Sequence, residues 1–333
     1  MKKATLFLLL LFLCRTEMVQ SQPKTLFAAV LETRDYVVGS ANPPSGLFRY
    51  EGMNGWRHLG WSNIRLFGLA PSAGPLQSLY MAAGNGVLRS RDGGATWRVT
   101  TGWRVTEVLD VAVDPGAPAA VYAATARGIW RSSDGAETWA QAGRGLPMPA
   151  FTAAVAVDRH RTGRILAGTE EGLFVSNDHG SQWQRADPAG VPVRDIKQSV
   201  ADPDLWLAGT EKAGLLASRD GGRTWARVGE AVIQGTVYAA ALDPADARRM
   251  AAGGFQSGVF ISIDGGATWH ATGGAIDGIS VHALAFDPVA SGRLWAGTVG
   301  HGIFYTDDLG ATWQAAGLEG ASIMDLVFVE ETP

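Results

Sequence analysis

The apolar positions of this chain come in short runs that never take the three-or-four spacing of a helix. One stretch shows the pattern: VHALAFDP from Val281, GRLWAGT from Gly292, GIFYTDD from Gly302 and ATWQAAG from Ala311. Each run is bounded by Gly, Asp or Pro, the residues that end a strand and turn the chain. The same four phrases recur along the sequence. The Asp-Pro that closes the first phrase returns at Asp114-Pro115, Asp202-Pro203, Asp243-Pro244 and Asp287-Pro288, and Asp158-Arg159 fills that slot without the proline. Gly followed by two apolar residues opens the third phrase at Gly86, Gly128, Gly172, Gly214, Gly258 and Gly302.

Between the third and fourth phrases stands an octet of the form S/T-x-D-x-G-x-x-W. It occurs at 90–97, 132–139, 176–183, 218–225, 262–269 and 306–313, with starts 42, 44, 42, 44 and 44 residues apart. Strict self-similarity at such a period signals a repeat architecture. Ser and Asp two apart turn back on nearby backbone N–H groups and fix a tight turn. The Gly two residues after Asp suits a positive φ, and the Trp beyond it enters the core from the returning strand. The roles of Asp92, Asp134, Asp178, Asp220, Asp264 and Asp308 are therefore structural. Ala136 replaces the Gly of the second octet, which predicts a looser turn there.

Four short strands per repeat make one blade of a β-propeller. The first strand is rich in Ala and Val (VLDVAVD from Val108, AALD from Ala240), which places it innermost, where strands crowd about the axis. Near the N-terminus YVVGS at Tyr36, GLFRYEG at Gly46 and Trp56 match the second, third and fourth phrases, giving a degenerate blade one without an octet. SIMDLVFVEE from Ser322 and TLFAAVLE from Thr25 both compete for the innermost place in that blade. Closure by the C-terminal strand is favoured because it protects the edges and locks the ends together. The predicted fold is all-β: a seven-bladed β-propeller of four-stranded antiparallel blades, with its ring closed by the terminal strands, over residues 22–333.

Residues 1–21 read as a signal peptide. Lys2 and Lys3 precede the apolar run Ala4–Cys14, and Val19-Gln20-Ser21 offers a small-residue cleavage site. The run is short for a membrane span, although an uncleaved anchor is the alternative. The expectation is a secreted or periplasmic protein with no integral span after cleavage. Loss of Lys2, Lys3, Arg15 and Glu17 takes the formal charge from −4 to about −6. No basic run survives, which argues against nucleic acid as a partner. Cys14 is the only cysteine, so disulfides and thiolate metal sites are excluded from the processed chain. One Asp per turn cannot supply the six to eight oxygens that calcium takes, so no metal and no cofactor is expected.

The octet resembles the Asp-box (BNR) repeat of sialidase-like and sortilin-like propellers. Over about residues 25–330 the chain also resembles the photosystem II assembly factor family, which implies a non-catalytic scaffold that binds protein precursors. Function is then expected over the channel, on the face shared by the blade-to-blade connections and the second-to-third-strand turns. Trp61, Arg65, Trp103, Arg104, Arg127, Glu171, Arg194, Lys212, Phe255 and His301 are the candidates there, with Arg144, Phe151, Asp195 and His282 nearby. Aromatic and arginine side chains together suit a protein partner or a sugar platform, so a protein or an extracellular glycan is the expected ligand of a monomer. Two enzyme readings compete. Asn63-Ile64-Arg65-Leu66 does not match the sialidase Arg-Ile-Pro motif, and the six tyrosines fall on strands or beside octets. Asp-box xyloglucanases set two carboxylates across a cleft between two propellers, and here Glu171 with Asp195 is the nearest equivalent of such a pair.

Overall fold

A computed structural model describes residues 24–33, 45–62, 64–72, 78–147, 149–186 and 190–330. Seven separate four-stranded sheets follow one another, each antiparallel and six of them in simple sequence order from the inside outwards. Blade two, for example, is Leu66–Pro71, Leu79–Ala83, Gly86–Ser90 and Arg98–Val99. The innermost strands of blades three to seven are Val108–Val113, Thr152–Val157, Val193–Gln198, Val237–Leu242 and Val281–Phe286.

Blade one is assembled from both ends of the chain. Ala321–Glu330 is innermost and pairs with Lys24–Thr33, which pairs in turn with Gly46–Tyr50. The C-terminal strand closes the ring as the sequence suggested. The second strand differs from expectation: Lys24–Thr33 holds that place, with Ala28 between Leu326 on one side and Phe48 on the other. The reason lies in burial, since Leu26 to Val30 are almost wholly shielded between two partners. Tyr36–Ser40, the segment expected there, lies outside the described residues.

The hydrophobic clusters sit between blades. One joins Tyr122 and Ile129 of blade three to Val155, Ile165 and Trp183 of blade four. Another joins Trp295 and Ile303 of blade seven to Leu26, Ala28, Phe48 and Ile323 of blade one. Each sheet is thus apolar on both faces and is covered by its two neighbours.

The octets form the expected turns. In the first, Ser90 Oγ donates to Asp92 Oδ1 at 2.7 Å and accepts from Gly94 N at 2.9 Å, while Thr96 N donates to Asp92 Oδ1 at 2.8 Å. These bonds, led by the Thr96 hydroxyl, hold the Asp92 carboxyl down at about 2. The second octet is no looser than the rest. Ala136 takes the left-handed conformation at φ 68°, and its N–H still reaches Ser132 Oγ at 2.8 Å. The turn's hydrogen bonds outweigh the strain of one Cβ in that region.

The octet tryptophan does more than anchor its own blade. Trp183 donates from Nε1 to the carbonyl of Ala142, at the end of blade three, at 2.6 Å. Trp56, the blade-one equivalent, reaches Ala316 of blade seven at 2.7 Å. These two rings clasp successive blades, whereas Trp97 and Trp225 donate to the Gly94 and Gly222 carbonyls of their own octets. Truncating Trp183, 2% exposed, to Ala is expected to cost about 3–5 kcal/mol in urea unfolding. A loss below about 1 kcal/mol would show that the clasp contributes little.

Candidate functional site

Because strands in a blade run alternately up and down, its turns fall alternately on two faces of the ring. One face carries the octets and the first-to-second-strand turns. The other carries the blade-to-blade connections and the second-to-third-strand turns, and the ten predicted residues lie there. Three aromatic side chains are strongly exposed in the described structure: Trp61 at 47%, Trp103 at 83% and Phe255 at 54%. All three stand on that second face.

Two sectors can be distinguished on it. Over blades two to four, Arg65, Arg104, Arg127 and Arg144 are exposed and make no ion pair with any described residue. The Arg104 guanidinium lies 5.2 Å from the Trp103 ring, the one direct contact among the ten predicted residues. Over blades four to seven the charges are taken up internally. Arg194 bridges Glu170, at 3.0 Å, and Glu211, and lies 6.0 Å from the Phe151 ring. Arg194 holds the Glu211 carboxyl below its usual range. Phe255 meets Tyr238 edge-on at 6.5 Å, and Tyr238 lies 4.1 Å from His282. Burial pushes His282 down to about 4, so this stack is uncharged at neutral pH. Lys212 is exposed on a turn at φ 66°, and His301 contacts the Val299 carbonyl at 2.9 Å through Nδ1.

Glu171 and Asp195 are not brought together. Glu171 approaches Arg185, on the outermost strand of its own blade, at 3.8 Å. Asp195 is absent from the outer face; it belongs to the channel wall. There the sequence reading missed a second feature. One residue of each inner strand, the third in blades two to seven and the fifth in blade one, alternates between acid and small: Asp325, Gly68, Asp110, Ala154, Asp195 and Ala239 on blades one to six, then Ala283 on blade seven. A bulge just before this residue on blades two to seven frees a backbone N–H toward the neighbour. Asp325 accepts from Leu69 N at 2.9 Å, Asp110 from Val155 N at 2.9 Å and Asp195 from Ala240 N at 2.8 Å. Each acid therefore staples its blade to the next. The signal was an Asp recurring inside otherwise apolar strands, visible only once the seven are aligned.

Lys197 reaches into the same layer, 3.2 Å from Asp195 Oδ1. Asp195 first, then Asp325 and Asp110, hold its ammonium above the usual range. Burial pushes Asp110 up to about 7 and raises Asp325 as well. Below this layer a cavity of about 1290 Å³ opens at the octet face, between Pro115, Arg159, Val200, Pro244 and Pro288. Its wall includes Asp110, Lys197 and Asp325 but no residue of the second-to-third-strand turns. Among the described residues, no three His, Cys, Asp or Glu side chains stand close enough to hold a metal ion, and no helix is long and apolar enough to cross a membrane.

Fold and turns together define a seven-bladed Asp-box β-propeller. The BNR/Asp-box repeat model matches residues 260–271. In fold the chain is similar to the GH74 enzyme of Niastella koreensis, at TM-score 0.69 and 19% identity, over 89% of this chain and 54% of that one. The GH74 xyloglucanase of Xanthomonas campestris gives TM-score 0.67 and 19% identity over 92% and 52%. The chain thus spans about half the length of these enzymes. YCF48 from Cyanidioschyzon merolae gives TM-score 0.59 and 14% identity over 80% of this chain and 95% of that one. YCF48 bound to D1 peptide gives 0.56 and 16% over 75% and 81%. No curated protein matches the sequence.

The acid layer sets a pH dependence of known sign. Asp110 is raised from 3.8 to about 7, so the stability it allows is complete below pH 3.8 and is lost as pH rises to 7. Asp92 acts oppositely, losing its contribution as pH falls from 3.8 through about 2. Asp110→Asn should therefore gain stability relative to the parent chain between pH 4 and 7, by about 1 kcal/mol or more, the equivalent of one pKa unit. Thermal unfolding across that range checks this; a constant difference between the two proteins would refute it.

Proposed function

We propose that this chain is an exported, non-catalytic propeller scaffold that binds a protein segment on the face opposite the octets. The observation that carries the reading is the exposure of Trp61 and Trp103 in the same sector as four arginines without ion-pair partners among the described residues, with Phe255 exposed elsewhere on that face. Monomeric proteins leave few large aromatic side chains in water unless a partner covers them, and Trp with Arg is the combination that dominates interface energies. Arg65, Arg104, Arg127 and Arg144 make no ion pair with any described residue, so the sector favours a segment carrying Asp or Glu next to an apolar anchor. Similarity to YCF48, whose solved structures include one with a D1 peptide, supports a peptide ligand.

The GH74 neighbours favour a second reading, a glycoside hydrolase acting on an extracellular glycan. It needs two carboxylates about 5–10 Å apart with a water or sugar between them. Against it stand the ion pairs that tie Glu170, Glu171 and Glu211 to arginines, and the lowering of the Glu211 carboxyl by Arg194, where a general acid must hold a proton.

A paired experiment separates the readings. The parent chain and a Trp103→Ala/Arg104→Ala variant are used as bait against envelope extract, in parallel with a glycan-hydrolysis screen. The scaffold reading expects a partner retained by the parent, released by moderate salt and weakened in the variant by about 2 kcal/mol or more. Turnover abolished by Glu171→Gln, or retention indifferent to the double substitution, would overturn it.

A further inference from the structure

The turn Asp158–Arg164 of blade four departs from its counterparts in where its charges go. In blades six and seven the residue six places after the closing Asp is also an arginine, and it is satisfied. Arg249 reaches Asp243 at 3.3 Å and Ser291 at 2.9 Å. Arg293 clamps both oxygens of Asp307, at 2.6 and 3.1 Å. Arg164 has no such partner. Its side chain is 7% exposed, its Nε makes no hydrogen bond, and its nearest carboxylate, Asp158, stands 4.0 Å away. The Oδ1 of that carboxylate accepts from the N–H groups of His160 and Arg161 and from the Gln198 amide, and its Oδ2, the oxygen nearest Arg164, is shared with the Arg161 guanidinium at 3.4 Å.

Arg164 lines a crevice of about 350 Å³ between blades four and five, with Arg161, Arg185, Arg223, Thr162 and Asn177 around it. Every polar side chain of that lining offers a hydrogen-bond donor, and no carboxylate belongs to it. Arg161 is engaged by Asp204 at 2.5 Å and Asp158 at 3.4 Å, and Arg185 by Glu171. Arg223, exposed on the blade-five octet, has no ion-pair partner among the described residues. Burial, opposed by Asp158 and Asp220 and aided by Arg161 and Arg223, pulls the Arg164 guanidinium below its ordinary value. The octet glycines admit these side chains. A Cβ on Gly221 would stand 1.9 Å from Arg161 Nη1, and one on Gly222 would stand 3.5 Å from Arg164 Nη2.

A buried guanidinium whose nearest carboxylate is 4.0 Å away and shared with a second arginine is incompletely compensated, and a planar fork of N–H donors is suited to a tetrahedral oxyanion. We infer that the crevice between blades four and five is an oxyanion site, taking phosphate or sulfate, free or as a monoester, on Arg164 and Arg223. Those two arginines come from adjacent blades across a boundary that no channel-wall aspartate staples. The bound anion would therefore join blade four to blade five.

Calorimetric titration of the full chain at constant ionic strength tests this, with inorganic phosphate, sulfate and phenyl phosphate as probes and chloride as reference. Saturable binding of phosphate and sulfate at one site per chain, absent for chloride, is expected. Arg223→Gln, an exposed change that leaves the fold intact, should weaken binding by about tenfold or more. Arg164→Gln should abolish it; where that variant fails to fold, the Arg223 variant decides alone. Phenyl phosphate bound as tightly as phosphate identifies an ester site, and weaker binding a site for the free ion; both keep the assignment. Binding no stronger than chloride, or equal in the Arg223 variant, overturns it.

Discussion

Two apolar faces on every sheet are the constraint from which the rest of this protein follows. A sheet with one such face can stop at water, but a sheet with two must be covered on both sides. Stacking blades covers each inner pair and leaves the first and last exposed, unless the stack bends round until they meet. Here the meeting is made by hydrogen bonds in register, because the innermost strand of blade one, Ala321–Glu330, pairs with Lys24–Thr33 from the other end of the chain. The seam is then as well packed as any other boundary, with Trp295 and Ile303 on one side and Leu26, Ala28 and Phe48 on the other. Trp183 and Trp56 reinforce two of these boundaries from the outer end of the blade, and the channel aspartates three of them from the inner end.

Much of this was legible in the sequence because the repeat is written in residues with narrow conformational roles. Ser, Asp, Gly and Trp at fixed offsets give the turn, its position and the blade count. Where the code erodes, legibility fails: blade one has no octet, an apolar run at Tyr36 read as its second strand, and Thr25–Glu32 competed with the C-terminal strand for the innermost place. Partner choice between two competing strands is decided by ring closure, which no local pattern encodes. The same holds for the channel acids. Asp195 beside Arg194 reads as a loop pair, yet a one-residue bulge leaves Arg194 among the face residues Phe151, Glu170 and Glu211 and sends Asp195 into the wall. Ala136 shows the converse limit, where a single departure from the motif predicted looseness and the surrounding hydrogen bonds prevailed.

The two faces use charge differently. On the octet face nearly every carboxylate is bound to backbone N–H groups, hydroxyls or arginines of its own turn, as Asp92 is by Ser90 and Thr96. Arg164 and Arg223 stand outside that compensation, the first 4.0 Å from its nearest carboxylate and the second with no ion-pair partner among the described residues. On the opposite face a whole sector of arginines has no internal demand placed on it, while the neighbouring sector is neutralised by the Arg194 bridge. A ligand meeting the second face would encounter one anion-attracting side and one apolar, uncharged side built from Phe255, Tyr238 and His282.

The channel-wall staples join blade one to two, three to four and five to six. Pairs cannot tile an odd ring. One blade must remain single, and it is blade seven, whose inner strand carries Ala283 where an acid would stand. The propeller is therefore not seven equal units but three doublets and a singlet, with its sevenfold appearance hiding a sequence-imposed parity. The single blade lies against the seam where the two ends of the chain are zipped together. Both the break in covalent continuity and the break in the alternation are thus gathered at one place on the circumference, and the other five blades form an uninterrupted arc.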